Sequence, residues 1–286
     1  MTDIGKVGVI GAGTMGNGIA QACAVAGLPV TMVDVSDEAV QRGVKTLSGS
    51  LDRLVKKDKL TSAAKDEALG RVAGGTRYDA FRDCDLVIEA ATENVELKLA
   101  ILREADKVAR PDALIASNTS SISITTLASV MSGPARVLGL HFFNPVPMMA
   151  LVEVIRGLQT GDAAVAAAEA FAKRLGKTPI VVRNSPGFVV NRILCPMLNE
   201  AVFALQENLA TAQAIDDGMK LGCNHPIGPL ALCDMVGLDV LLAVMEVFYR
   251  DFNDPKYRPA LLLKEMVAAG RLGRKAGRGF YTYAGS

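Results

Sequence analysis

Short apolar runs alternate with segments of helical periodicity along the first part of this chain. Such runs, bounded by turn signals, predict strands that are buried in a parallel sheet. They lie at residues 7–10, 29–33, 86–90, 114–116, 136–141, 151–155 and 178–182. The segments between them predict one long helix from Asp37, a second after Thr61, and helices that end near Val108 and Leu175. Alternation of this kind predicts an α/β fold.

The pattern changes at residues 183–187, where the sequence RNSPG indicates a boundary. Every later segment predicts helix, over residues 188–206, 211–221, 230–250 and 259–269. The tail at 273–281 predicts a flexible basic loop that ends in an apolar anchor. We therefore expect a Rossmann-type, doubly wound α/β domain over residues 1–183 and an all-α domain over 184–286 that binds substrate and forms the dimer contact.

The glycine-rich turn after the first strand is the most informative motif. It consists of Gly11, Ala12, Gly13, Thr14, Met15 and Gly16. Gly11 permits the tight turn, Gly13 lets the backbone approach a pyrophosphate, and Gly16 lets the helix pack on its strand. Asp34 ends the second strand, where a carboxylate accepts both ribose hydroxyls and repels a 2′-phosphate. The motif predicts binding of NAD in preference to NADP; a glycine turn in some other parallel α/β protein is the alternative.

Composition excludes several classes of partner. The 286 residues carry 31 basic and 30 acidic side chains, so no broad basic surface for nucleic acid or an anionic membrane is expected. No charge-free apolar run is long enough for a transmembrane helix. The first predicted strand starts so close to Met1 that we expect no targeting peptide, and a cytoplasmic location.

Few cysteines and histidines are available for chemistry. The cysteines are Cys23, Cys84, Cys195, Cys223 and Cys233, an odd and widely spaced set that favours reduced core thiols. The two histidines, His141 and His225, show no metal-binding spacing, so no metal site is expected. His225 lies in a turn rich in Pro and Gly, and we interpret it as structural.

His141 ends a predicted strand, and Glu153 lies in the apolar strand that follows. A buried carboxylate needs a partner, and the hairpin-like return would place the imidazole opposite it. A histidine held in one tautomer by a carboxylate is the arrangement that general base catalysis needs. The alternative is that Glu153 faces solvent and His141 is a hydrogen-bonded loop residue.

Polar residues follow two other predicted strands, at the edge where ligands bind in open α/β sheets. Glu93 and Lys98 follow one strand, although Glu93 and Asn94 would also suit the start of a helix. The polar run at 117–121 is either a turn and helix cap or part of a site.

The long helix carries Ser50 and is followed by the basic cluster at 56–59, which includes Lys57. The cluster is either an ordinary solvated helix face or an anion-binding surface.

Seven stretches occur in a recognisable order. They are GVIGAGTMGNGIA (8–20), EAATEN (89–94), SNTSS (117–121), GLHFFNPVPMMALVEV (139–154), NSPGFVVNRILCPMLNEA (184–201), GPLALCDMVGLD (228–239) and GRKAGRGFY (273–281). Together they resemble the short-chain 3-hydroxyacyl-CoA dehydrogenase family, and within it the single-function 3-hydroxybutyryl-CoA dehydrogenases. The resemblance spans essentially the whole chain.

The resemblance implies a role for individual residues. His141 would be the base and Glu153 its orienting partner, while Ser120 would touch the substrate oxygen and the nicotinamide, and Asn191 would reach the substrate from the helical domain. The positions matching cofactor contacts are Gly11, Gly13, Gly16, Asp34, Glu93, Lys98 and Asn144. Ser50 and Lys57 match positions that hold coenzyme A.

The resemblance also implies an activity and an assembly. The expected reaction is NAD-dependent interconversion of (S)-3-hydroxyacyl-CoA and 3-oxoacyl-CoA, with 3-hydroxybutyryl-CoA and acetoacetyl-CoA as the expected pair. The expected assembly is a homodimer through the helical domain. Two alternatives stay open: a two-domain dehydrogenase of free hydroxy acids or sugar acids, and an NAD-binding protein without turnover.

Overall fold

A computed structural model describes residues 3–283 and divides the chain into two compact units, Met1–Ser185 and Pro186–Ser286. The division lies two residues after the predicted boundary, within the same turn. The outermost residues of the predicted domains, 1–2 and 284–286, lie outside the described part. The roles expected of the two domains remain predictions.

The first unit is built on an eight-stranded sheet of order β3-β2-β1-β4-β5-β6-β7-β8. The strands are β1 (Val7–Ile10), β2 (Val30–Val33), β3 (Val72–Gly75), β4 (Leu86–Glu89), β5 (Leu114–Ser117), β6 (Val137–Phe142), β7 (Leu151–Arg156) and β8 (Thr178–Arg183). Neighbours from β3 to β6 are parallel, β6 and β7 are antiparallel, and β7 and β8 are parallel. The carboxyl ends of β1, β2, β4, β5 and β6 therefore share one edge. This is the predicted doubly wound arrangement, and the expected fold class is confirmed.

The helices of the first unit begin where the sequence offers a capping side chain or a glycine. They are α1 (Thr14–Val25), α2 (Asp37–Val55), α3 (Ser62–Gly70), α4 (Val95–Val108), α5 (Ile124–Ala128) and α6 (Asp162–Arg174). The Ser36 hydroxyl accepts the Ala39 N–H at the start of α2, and the Thr61 hydroxyl accepts the Ala64 N–H at the start of α3. Each such bond satisfies a donor that the helix leaves unpaired. The long helix and the second helix are thus confirmed.

The sequence patterns gave no sign of β3. This strand pairs only with β2, at the edge of the sheet, and none of its residues is fully buried. An edge strand that contains two glycines lacks the apolar run by which buried strands are found. Val40 of α2 lies over Gly74, where an added Cβ would be 2.4 Å from the valine methyl carbon.

The second unit is helical, as predicted. Its helices are α7 (Val190–Gln206), α8 (Ala212–Cys223), α9 (Pro229–Val236), α10 (Leu238–Phe252) and α11 (Leu261–Ala268). The single helix expected over 230–250 is wrong, because Gly237 separates α9 from α10 with a φ of 105°. A side chain is strongly disfavoured at that φ, so the glycine fixes the break.

The tail of the second unit is not the flexible loop that its sequence predicted. The buried carboxylate of Asp234 accepts the N–H groups of Phe280 and Tyr281 and the hydroxyl of Tyr283. The buried Asp216 carboxylate accepts the Tyr281 hydroxyl and two N–H groups at the start of α9. Two desolvated carboxylates therefore bind the tail to the helices, because each would be costly to leave unpaired.

The cysteines are free thiols, and all but the exposed Cys223 are buried. Burial raises the pKa of Cys23 and of Cys195 to about 12, so both remain protonated at neutral pH. Within residues 3–283, no helix is long and apolar enough to cross a membrane.

Candidate active site

The glycine turn has the geometry that a dinucleotide requires. Gly11 has a φ of 99°, and an added Cβ on Gly16 would lie 1.8 Å from the Gly11 carbonyl oxygen. An added Cβ on Gly13 would have no heavy atom within 4 Å, so this position borders open space. Helix α1 starts at Thr14 without a side-chain cap. Its first N–H groups are available to phosphate oxygens, and the residues present fit a pyrophosphate.

Asp34 lies just beyond the end of β2, next to the glycine turn. Its Oδ2 accepts the Ala12 N–H at 2.6 Å, and its Oδ1 accepts the Val35 N–H at 2.7 Å. Two backbone donors fix the carboxylate while the residue remains partly exposed. A fixed carboxylate at this position suits a ribose with two free hydroxyls better than one with a phosphate.

His141 and Glu153 face each other across β6 and β7. They are register partners in the antiparallel pair, and Nδ1 of His141 lies 2.7 Å from Oε2 of Glu153. The histidine is 6% exposed, and the glutamate is fully buried. A carboxylate at Nδ1 favours the tautomer that carries its proton on that nitrogen. The predicted proximity of the two side chains is confirmed.

The residues next to His141 also fix its position. The Phe143 ring lies 4.5 Å from the imidazole, centroid to centroid, at an interplanar angle of 53°. The buried side-chain oxygen of Asn118, one residue after β5, accepts the Phe142 N–H at 2.8 Å. Strands β5 and β6 are thereby tied together beyond their ladder. The sequence placed Asn118 in a polar run but did not predict this hydrogen bond.

Glu93 and Ser120 form one hydrogen-bonded group. The carboxylate of Glu93 accepts the N–H and the hydroxyl of Ser120 at 2.9 and 3.2 Å, and the Thr119 hydroxyl at 2.7 Å. Asn94, not Glu93, caps α4 by accepting the Leu97 N–H. The polar run at 117–121 is therefore held by a carboxylate from the neighbouring strand end.

Lys98 lies at the same edge, but it is 1% exposed. Its ammonium donates to the buried carboxylate of Glu89, the last residue of β4, and to the Ser117 hydroxyl at 3.3 Å. Oε1 of Glu89 also accepts the Ala91 N–H at 2.9 Å. This buried ion pair joins α4 to the ends of β4 and β5. The sequence did not predict that Glu89 pairs with Lys98, because an acidic residue at the end of a strand gives no information on its ion-pair partner.

The other predicted residues lie on separate elements. Asn144 is exposed in the loop after β6, Ser50 lies partly buried on α2, and Lys57 is exposed in the turn after α2. Asn191 lies in the first turn of α7 in the second unit, where the neighbouring Arg192 guanidinium lies 3.7 Å from the centroid of the Phe252 ring. Their roles remain predictions. Among the described residues, no group of three or more His, Cys, Asp or Glu side chains is arranged to hold a metal ion.

Comparison with known proteins covers both units. Residues 6–185 match the description "3-hydroxyacyl-CoA dehydrogenase, NAD binding domain", and residues 187–283 match "3-hydroxyacyl-CoA dehydrogenase, C-terminal domain". A 3-hydroxybutyryl-CoA dehydrogenase of Bradyrhizobium diazoefficiens is 50% identical over 283 residues, 99% of this chain and 97% of that protein. One from Clostridioides difficile is 46% identical over 97% of this chain and 99% of its own.

A solved structure agrees with both the sequence and the fold. The crystal structure of an (S)-3-hydroxybutyryl-CoA dehydrogenase from Ralstonia eutropha has a TM-score of 0.97 and 66% sequence identity, over 99% of this chain and 100% of that one. With two matching domain families and full-length relatives of this identity, the chain belongs to the 3-hydroxyacyl-CoA dehydrogenase family.

Proposed function

We propose that this protein catalyses the NAD-dependent interconversion of (S)-3-hydroxybutyryl-CoA and acetoacetyl-CoA. The observation that carries the proposal is the 2.7 Å contact between His141 and Glu153, at the sheet edge that also bears the glycine turn. The names of the full-length relatives support the four-carbon substrate. Bound NAD accepts or supplies the hydride at the substrate C3 carbon.

The proton moves through His141. In oxidation its Nε2 takes the proton of the substrate hydroxyl, and the Glu153 carboxylate stabilises the imidazolium that results. In reduction the imidazolium protonates the forming alkoxide. The Ser120 hydroxyl and the Asn191 amide are the proposed hydrogen-bond donors to that oxygen.

The proposed cofactor contacts lie along the same edge. The glycine turn (residues 11–16) takes the pyrophosphate and Asp34 takes the ribose, while Glu93, Lys98, Ser120 and Asn144 are the proposed contacts nearer the nicotinamide. Lys98 forms a buried ion pair with Glu89, and we propose that it contacts the cofactor without leaving this pair.

Coenzyme A is the proposed partner of Ser50 and Lys57. Residues 56–59 are all exposed, and three of them are lysines, which suits the phosphates of a coenzyme A thioester. A free hydroxy acid would make no use of this cluster.

The decisive experiment compares acetoacetyl-CoA with free acetoacetate as oxidant of NADH, followed at 340 nm. We expect turnover with the thioester and at least about a hundredfold lower kcat/KM with the free acid. Lys57→Met should raise KM for acetoacetyl-CoA, while Lys45→Met, an exposed lysine of α2, should not. Preference for the free acid would favour the hydroxy-acid alternative, and NADH binding without turnover would favour a non-catalytic protein.

Replacing Asp34 by Asn should weaken selection of NADH over NADPH. Removing the negative charge weakens the bonds to the ribose hydroxyls and the repulsion of a 2′-phosphate, so we expect the NADH/NADPH ratio of kcat/KM to fall about tenfold or more. Steady-state kinetics with both cofactors measures this. Asp37→Asn, at an exposed acid in the first turn of α2, is the matched control. An unchanged ratio in Asp34→Asn would remove Asp34 from cofactor selection.

A homodimer through the helical unit is part of the proposal. Ile193, Leu221 and Leu261 of this unit are each more than 60% exposed, an amount of apolar surface that a partner copy would cover. Light scattering should give twice the mass of one chain. A cytoplasmic location is also proposed, because the described cysteines are unpaired thiols, and cell fractionation tests it.

A further inference from the structure

The loop between β6 and β7, residues 143–150, joins the strand of His141 to the strand of Glu153. Its side chains are mostly exposed: Met148 is 57% and Met149 40% accessible, and only Val146 is buried. The N–H groups of Met148 and Met149 both donate to the Pro145 carbonyl, so these bonds stay within the loop. Contacts from outside the loop must therefore fix most of its conformation.

Val146 packs the loop against α1, the helix that begins at the glycine turn. An added Cβ on Gly18 of α1 would lie 3.0 Å from Cβ of Val146, so the valine packs directly on the helix backbone. Helix α1 starts at the glycine turn, four residues before Gly18. A shift of the loop therefore changes contacts with the element that carries the cofactor turn as well as with His141.

Lys177 also bonds this loop from outside it. Its ammonium donates to the Val146 carbonyl at 2.6 Å and to the Met149 carbonyl at 2.7 Å. Bonds from a cation are about twice as strong as neutral ones, and together these two span the middle of the loop. Burial lowers the pKa of Lys177, so its ammonium has exchanged part of its hydration for the two carbonyl oxygens.

The backbone of Lys177 is itself fixed. Gly176 has a φ of 71° at the end of α6, the Lys177 N–H donates to the Ala172 carbonyl at 3.0 Å, and the Gly176 N–H donates to the Lys173 carbonyl at 2.9 Å. This is the left-handed glycine termination that locks a helix end. The next residue, Thr178, begins β8 and donates to the Ala150 carbonyl. The ammonium thus extends from a rigid junction.

We propose that Lys177 is a positioning residue for the dehydrogenase reaction, whose ammonium holds the 143–150 loop and thereby the relative placement of His141, Asn144 and α1. The inference rests on the proposed function. Lys177 acts through the loop, so it should affect the reacting geometry more than the stability of the unit. Displacements of about 1 Å at a reacting group are enough to lower turnover strongly.

The test compares Lys177→Met with Lys173→Met, the same change at an exposed lysine one turn earlier. We measure kcat and KM for acetoacetyl-CoA, the urea midpoint, and hydrogen exchange of the amides. In Lys177→Met we expect kcat to fall about tenfold or more, with a smaller change in the KM for NADH. Exchange in residues 143–150 should rise at least about tenfold, and exchange in the strands should not change. Lys173→Met should match the wild type.

The conservative variant Lys177→Arg keeps a cation within reach of the carbonyls, and it should recover most of the lost kcat and loop protection. The inference is overturned if Lys177→Met keeps wild-type kcat and loop exchange, or if exchange rises uniformly across residues 3–185, which would indicate a general loss of stability. A wild-type enzyme without turnover on acetoacetyl-CoA would instead reject the proposed function. Hydrogen exchange of the amides in residues 143–150 would then still show whether Lys177 holds the loop.

Discussion

Replacing His141 by Gln is expected to lower kcat for acetoacetyl-CoA reduction by at least about a hundredfold, with NADH affinity within about twofold of wild type. Glutamine keeps a polar side chain at the position but cannot become a cation that donates a proton to the alkoxide. The imidazole adjoins Glu153, and the glycine turn that would hold the pyrophosphate is a separate element. Stopped-flow reduction and NADH fluorescence titration separate the two effects.

The matched control is His225→Gln, at the other histidine of the chain, which lies in the second unit and has no proposed role in the reaction. It should keep wild-type turnover. Glu153→Gln should also lose at least about tenfold in kcat, because an amide no longer stabilises the imidazolium or fixes the tautomer. If His141→Gln turned over at the wild-type rate, the proton transfer proposed above would be wrong.

Replacing Lys98 by Met is expected to destabilise the first unit by about 3–5 kcal/mol. The substitution preserves most of the side-chain volume but leaves the Glu89 carboxylate buried without its cation. The Ser117 hydroxyl and the Ala91 N–H remain as donors, and they do not replace a full charge. For a unit of this size, the loss corresponds to a fall in Tm of about 6–20 °C, measurable by calorimetry or urea unfolding.

The double variant Glu89→Gln/Lys98→Met separates the destabilisation caused by an unpaired buried charge from that caused by lost packing. It removes both ions, so it should recover a substantial part of the stability lost in Lys98→Met. Lys107→Met, at the exposed end of the same helix, should change stability by less than about 0.5 kcal/mol. Equal losses in the single and double variants would show that the ion pair is not what stabilises this edge.

The sequence predicted the site best where the residues that form it are close together in the chain. The glycine turn has an obligatory conformation, so its residues alone predicted a turn in which a Cβ at Gly16 has no room. His141 and Glu153 lie on strands joined by a short loop, and the hairpin that such a loop implies brought them into register. Local connection makes such contacts predictable, because few other arrangements are sterically possible.

The predictions failed where local signals were weak or were outweighed. The edge strand β3 is short, partly exposed and glycine-containing, and its pairing with β2 is a long-range property. The predicted helix over 230–250 followed apolar periodicity and missed the backbone conformation of Gly237. Periodicity reports which face is apolar and contains no information on a single residue with positive φ.

The sequence by itself determined the α/β class, the helical second unit, the glycine turn and the proximity of His141 and Glu153, because each follows from periodicity, glycine geometry or a short connection. Only the tertiary structure decided which charges support that site. Lys98 lies 9 residues from Glu89, and Lys177 lies 31 and 28 residues from Val146 and Met149. A lysine ammonium binds any oxygen that the fold brings near, so its partner is fixed by packing and not by the residues beside it in the chain.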